Sequence, residues 1–154
     1  RAEGDAPEAG AGEEFVDAGT VMTVEATGSS GGDVLTVAYT RAGKERWQLV
    51  TGGRGADAGA EVVAQPDGGV TVVGFTGSTL GLPVGGADVL TLRVDRRGRQ
   101  VGVAQFGTAR DDAADPFGEE NVYATRAADG RLLVTGFTAD DVFLVTVDPV
   151  KGTP

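Results

Sequence analysis

The sequence predicts an all-β fold made of repeated antiparallel meanders, and three observations carry that reading. An Asp-led apolar segment recurs: Asp33 to Thr40, Asp88 to Asp95 and Asp141 to Asp148 begin 55 and then 53 residues apart. A valine-rich segment accompanies it as Val21 to Gly28, Val70 to Gly77 and Leu132 to Thr138. Self-similarity at a period of about 50 residues marks a repeat architecture. Finally, no window of 11 or more residues shows a 3.6-residue apolar period, while the 26 glycines punctuate short β-branched runs.

Taken in order, residues 1–13 have Ala as their only apolar type and carry four carboxylates, which predicts a flexible acidic leader. Apolar alternation starts at Glu14, so 14–154 is read as the repeat domain, in units of about 14–53, 54–108 and 109–154. Strands are predicted at 21–27, 33–39, 46–51, 60–65, 70–76, 88–94, 100–106, 122–127, 131–138 and 141–147. In the segment from Asp88 to Asp95, Leu90, Leu92 and Val94 share one face, and Val89, Thr91, Arg93 and Asp95 the other. That alternation is the mark of a half-buried strand. The run from Val70 to Thr76 is apolar on both sides, as for a strand covered on both faces.

The connections agree with strands. Asp67-Gly68 and Asp129-Gly130 each precede a strand and predict type I′ hairpin turns. Gly43 and Gly98 stand at matching places in three-to-four-residue loops that need a positive φ, and Asp148 to Gly152 is the same turn one residue longer. Trp47, four residues past Gly43, is expected to pack between neighbouring sheets. The basic cluster Arg96-Arg97-Gly98-Arg99 is expected at a solvated hairpin tip.

One unit therefore runs strand, Asp-Gly turn, strand ending in Gly-Phe-Thr, loop, Asp-led strand, Gly turn, strand ending in Gly. That is a four-stranded meander of the kind that forms a β-propeller blade. The pattern resembles the bacterial SBBP-type β-propeller repeat family over about residues 20–152. The residues that carry the likeness are Val72-Val73-Gly74-Phe75-Thr76, Asp88 to Asp95 and Gly98, with Gly43, Trp47 and Gly52-Gly53 in the preceding copy. Where the family has a Lys in its Asp-led strand, this chain has Arg93 as the nearest equivalent, and Ala38 and Thr146 in the other copies. The resemblance implies a secreted or cell-surface bacterial protein of binding function and carries over no catalytic residue.

Ten predicted strands make two and a half to three blades, an incomplete ring, because closed propellers have at least about four blades. A longer propeller, blades completed between chains, or a meander closed as a sandwich or open barrel would each resolve the count. Unpaired end strands are templates for other chains, so the expected partner is a protein or a second copy engaged through open blade edges.

Composition narrows the chemistry. Thirteen basic against 23 acidic residues give −10, which argues against nucleic acid, whose binding draws on phosphate neutralisation. No apolar run reaches the length of a membrane-spanning helix. The chain has no His and no Cys, which removes triad and Cys-His nucleophiles, His or Cys zinc sites and disulfides. Gly53-Arg54-Gly55-Ala56-Asp57-Ala58 fits G-x-G-x-x-A, but the dinucleotide fingerprint needs a helix there and the following residues read as strand. About seven residues are inserted around 111–121, since Asp67 and Asp129 are 62 apart. Asp111, Asp112, Asp115, Glu119 and Glu120 in that loop are the candidate ligands for Ca²⁺, a hard cation held by clustered oxygens; a partner-contact loop and a solvated loop are the other readings. No residue is singled out as catalytic, because the recurrence of Asp33, Asp88 and Asp141 points to a structural job. The function class that remains is a non-catalytic binding or assembly module, with an accessory structural subunit of a larger surface complex as the alternative.

Overall fold

The computed structural model describes residues 32–40, 42–77, 80, 86–108, 122–137, 142–151 and 154. Among them are nine strands and no helix. These are β1 (Val34–Tyr39), β2 (Glu45–Thr51), β3 (Asp57–Ala64), β4 (Val70–Thr76), β5 (Asp88–Val94), β6 (Gln100–Phe106), β7 (Val122–Arg126), β8 (Leu132–Phe137) and β9 (Val142–Val147). They form three antiparallel sheets in sequence order: β1-β2, then β3-β4-β5-β6, then β7-β8-β9. The all-β meander is therefore as predicted, with the middle unit a complete four-stranded sheet. The segments 1–13 and 21–27 lie outside the described residues.

The sheets stack face to face, with the four-stranded sheet in the middle. Val34 of β1 shares one core with Val70, Val72, Leu90, Leu92 and Val94 of the middle sheet. On the other side Val73 and Val89 share a second core with Val122, Leu132, Val134 and Val147 of the third sheet. Alternation along β4 and β5 thus feeds both cores, and the side chains of both strands are almost wholly removed from water. This agrees with the reading of Val70–Thr76 but corrects that of Asp88–Asp95. The Val89, Thr91 and Arg93 side of β5 faces another sheet instead of solvent, so the strand is buried on both faces.

Arg93 shows why polar residues are tolerated there. Its guanidinium donates to the Val70 carbonyl at 2.9 Å and reaches both carboxylate oxygens of Asp67, at 2.6 and 2.5 Å. A buried charge is costly unless paired and hydrogen-bonded, and this one is both. Gly69 makes room for it: a Cβ there would lie 2.4 Å from an Arg93 nitrogen.

The hairpin turns are a single device used four times. The amide of Gly43 bonds to the Thr40 carbonyl, Gly68 to Gln65, Gly98 to Asp95 and Gly130 to Ala127, and the first residue's own amide closes onto the residue after the glycine. That pattern is a type I turn followed by a glycine at positive φ, here 76–86°. It corrects the type I′ expectation for Asp67-Gly68 and Asp129-Gly130. At the first of them Pro66 occupies the second turn position, where its fixed φ suits type I.

β3 starts at Asp57, three residues before the predicted 60. The Asp57 amide donates to the Gly32 carbonyl at 2.7 Å, and its carboxylate accepts from the Gly53 amide at 2.8 Å and from the Thr76 hydroxyl. Local propensity for Asp in a strand is poor, so these long-range bonds set the boundary. The G-x-G-x-x-A run accordingly ends inside a strand, with no helix to receive a pyrophosphate.

Successive sheets also touch through one repeated contact near the hairpin tips. Trp47 of β2 lays its ring against Gly98 in the β5–β6 turn, and its indole N–H donates to the Arg96 carbonyl at 3.3 Å. The predicted packing of Trp47 between sheets is thereby observed. Gly102 of β6 stands at the place of Trp47, four residues past the turn glycine, and faces the Val150 carbonyl in the corresponding turn of the third sheet. Close by, the Thr71 hydroxyl donates to the Pro149 carbonyl at 3.3 Å, and Arg126 of β7 donates to the Gln65 side chain. Large on small in one junction and small under backbone in the next gives the same docking with different volumes.

Candidate interaction surface

The repeat fixes which side of each sheet looks which way. One, three and five residues after the leading Asp, side chains face the following sheet: Val34, Thr36 and Ala38 are buried against the middle sheet, and Val89, Thr91 and Arg93 against the third. Two, four and six residues after it, Leu90, Leu92 and Val94 face back onto the first sheet, and Phe143, Val145 and Val147 face back onto the middle one.

The same rule assigns two faces that no described sheet covers. On the third sheet Val142 and Leu144 point outward and are 66% and 71% exposed, flanked by Phe137 at 43% and Tyr123 at 51%. Leu133, Thr135, Thr125 and Thr146 complete that side by strand alternation, so its described residues include no charged one. On the first sheet Leu35, Val37 and Tyr39 are half-buried, and Val50 opposite Leu35 is 58% exposed. Exposed apolar side chains clustered on one face in this way mark an interaction site.

Edges add a second feature. β1, β5 and β9 are equivalent, and β2 and β6 pair with the first two of them, at a place that no described residue fills beside β9. β9 is therefore paired with β8 alone, an unprotected edge among the described residues.

The turns carry most of the resolved electrostatics. The Asp95 carboxyl is held down to about 2, chiefly by the Arg99 amide, with the Arg99 side chain at 2.7 Å adding to it. Asp67 is lowered first by the Gly69 amide and then by Arg93, and Asp148 by the Lys151 and Val150 amides. Asp129 is lowered by the Arg131 guanidinium and amide, and Arg131 is raised in return. Each of these groups locks a turn. Arg96, Arg97 and Arg99 are exposed at the β5–β6 tip, as expected.

Asp88 is fully buried at the start of β5 and accepts from the Gln105 side chain of β6 at 2.8 Å, a strand-to-strand tie. Asp33 lies against Gly52 after β2, and Asp141 lies outside the described residues. So do the calcium candidates Asp111, Asp112, Asp115, Glu119 and Glu120. Among the described residues no three acidic side chains are grouped to hold a metal, and no helix is long and apolar enough to cross a membrane. The exposed face of the third sheet was missed by sequence reasoning, which looked to edges and loops. Leu144 was its signal, standing where the other copies have Thr36 and Thr91. No protein-family model matches the chain, and no curated protein matches it.

Proposed function

We propose that this chain is a non-catalytic assembly module, one that makes protein–protein contacts through the open edge and uncovered faces of propeller-type sheets. The observation that carries the reading is the contrast between sheets. The middle sheet has both faces covered, whereas among the described residues the third keeps an uncharged apolar face and an unpaired β9 edge. Covering such a face is worth about 25 cal/mol per Å² of apolar surface, and pairing the edge satisfies backbone groups otherwise left to water. The likeness to SBBP-type repeats supports a site of action at the bacterial surface or outside the cell.

An accessory-subunit role is the second reading, favoured by the β9 edge: a strand donated by a different protein would take the place that β2 and β6 fill in the other sheets. The absolute mass of the protein by light scattering, over a wide range of concentration, tests the assembly reading. Mass rising above that of a single chain is the expected result; a folded monomer at every concentration contradicts self-assembly.

A further inference from the structure

The described outer faces of the first and third sheets repeat parts of a contact that the molecule already makes twice. The first sheet presents Val34, Thr36 and Ala38 to the middle one, which answers with Leu90, Leu92 and Val94. The middle sheet presents Val89, Thr91 and Arg93 to the third, which answers with Phe143, Val145 and Val147. The outward face of the third sheet offers Val142, Leu144 and Thr146 at the presenting positions. The outward face of the first sheet offers Leu35, Val37 and Tyr39 of β1 at the answering positions, beside Val50, Gln48 and Glu45 of β2, while the first unit's equivalents of β3 and β4 lie outside the described residues. No described sheet covers either face, and both continue an established interface in its own register.

We infer that the occupant of the third sheet's outer face is the first sheet of a second copy, stacked head to tail as the internal sheets are stacked. This rests on the assembly reading above and names its partner. Among the described residues the presenting face has no charge to desolvate, and Leu144 makes it more apolar than either internal counterpart, where Thr36 and Thr91 stand at that position. The contact is heterologous: one surface of each copy meets a different surface of the next. Such contacts propagate until the rotation closes a ring or continues as a filament. The edge of β9, unpaired among the described residues, sits beside the contact without forming it.

Paired variants test this geometry. Leu144→Asp disables the presenting face and Val50→Asp the answering face; both replace exposed residues, so the fold is expected to survive, as far-UV circular dichroism checks. Val142→Glu stands in should Leu144→Asp unfold. By light scattering, each variant alone is expected at the mass of a single chain while the wild type is larger. An equimolar mixture is expected to form one-to-one dimers and nothing larger, because each such pair has one intact contact and two blocked ends. If the wild type is larger than one chain but Leu144→Asp and Val50→Asp keep its mass, edge pairing holds the assembly and the inference falls while the assembly reading stands. If Leu144→Asp is monomeric but Val50→Asp still dimerises, like faces pair with like and the head-to-tail arrangement is overturned. A wild type that is monomeric at every concentration removes both.

Discussion

Gly43 and Gly98 sit at the same position of the same turn, with φ of 76° and 78°, yet a Cβ on Gly43 would meet nothing while one on Gly98 would lie 2.6 Å from the Trp47 ring. The pair therefore separates backbone strain from docking between sheets. Gly43→Ala is expected to cost only the left-handed penalty of about 1–2 kcal/mol. Gly98→Ala is expected to add a further ~1–3 kcal/mol of overpacking, because it displaces the indole. Urea melts of both variants check this; equal losses would mean that Trp47 does not rest on the turn.

The turn aspartates make a second prediction. Their carboxyls titrate lower in the folded chain than in the unfolded one, so the folded state binds fewer protons at low pH. They therefore stabilise the protein above about pH 4, and that contribution disappears as pH falls towards about 2, the folded value for Asp95. The urea midpoint is expected to drop over that window and to drop less in Asp95→Asn; an unchanged slope in the variant would contradict the assignment.

Among the strands, β5 has the side chains of Leu90 and Leu92 almost fully buried, whereas its equivalent β9 leaves Leu144 open. Leu92→Ala is expected to lose about 2–5 kcal/mol, and Leu144→Ala within about 0.5 kcal/mol of nothing when measured on the monomer at low concentration. Chemical denaturation reads both. The comparison also shows what was legible beforehand. The nine predicted strands that fall in the described residues appear within a few residues of their expected bounds, because β-branched runs bounded by glycine turns report the strand period directly. The burial of β5 was not legible, since Thr91 and Arg93 look like solvent-facing residues until Asp67 and the Val70 carbonyl, 26 and 23 residues away, are seen to satisfy the guanidinium. The turn type was misread at Asp67-Gly68 because the Asp-Gly pair serves both turn families; Pro66 was the discriminating residue.

For the whole molecule, the recurrence of the Asp-led segment announced repeated antiparallel meanders, and sheets of two, four and three strands in sequence order are what the structure shows. The sequence spacing carries no information on which surface of one unit meets the next. That is decided by volumes such as Trp47 over Gly98 and Gly102 beneath Val150, which pair residues about 50 apart in the chain. The proposed assembly depends on that same contact being the rule for sheet on sheet.

The central claim is therefore the docking itself, and Trp47 reports it. The chain has one tryptophan, so its indole N–H gives a single nuclear magnetic resonance signal. The account predicts nuclear Overhauser contacts from that indole to the α-protons of Gly98, with those protons shifted upfield by the ring current. An indole with no contact to Gly98, and Gly98 protons at ordinary loop shifts, would contradict the stacking on which the interaction surface rests.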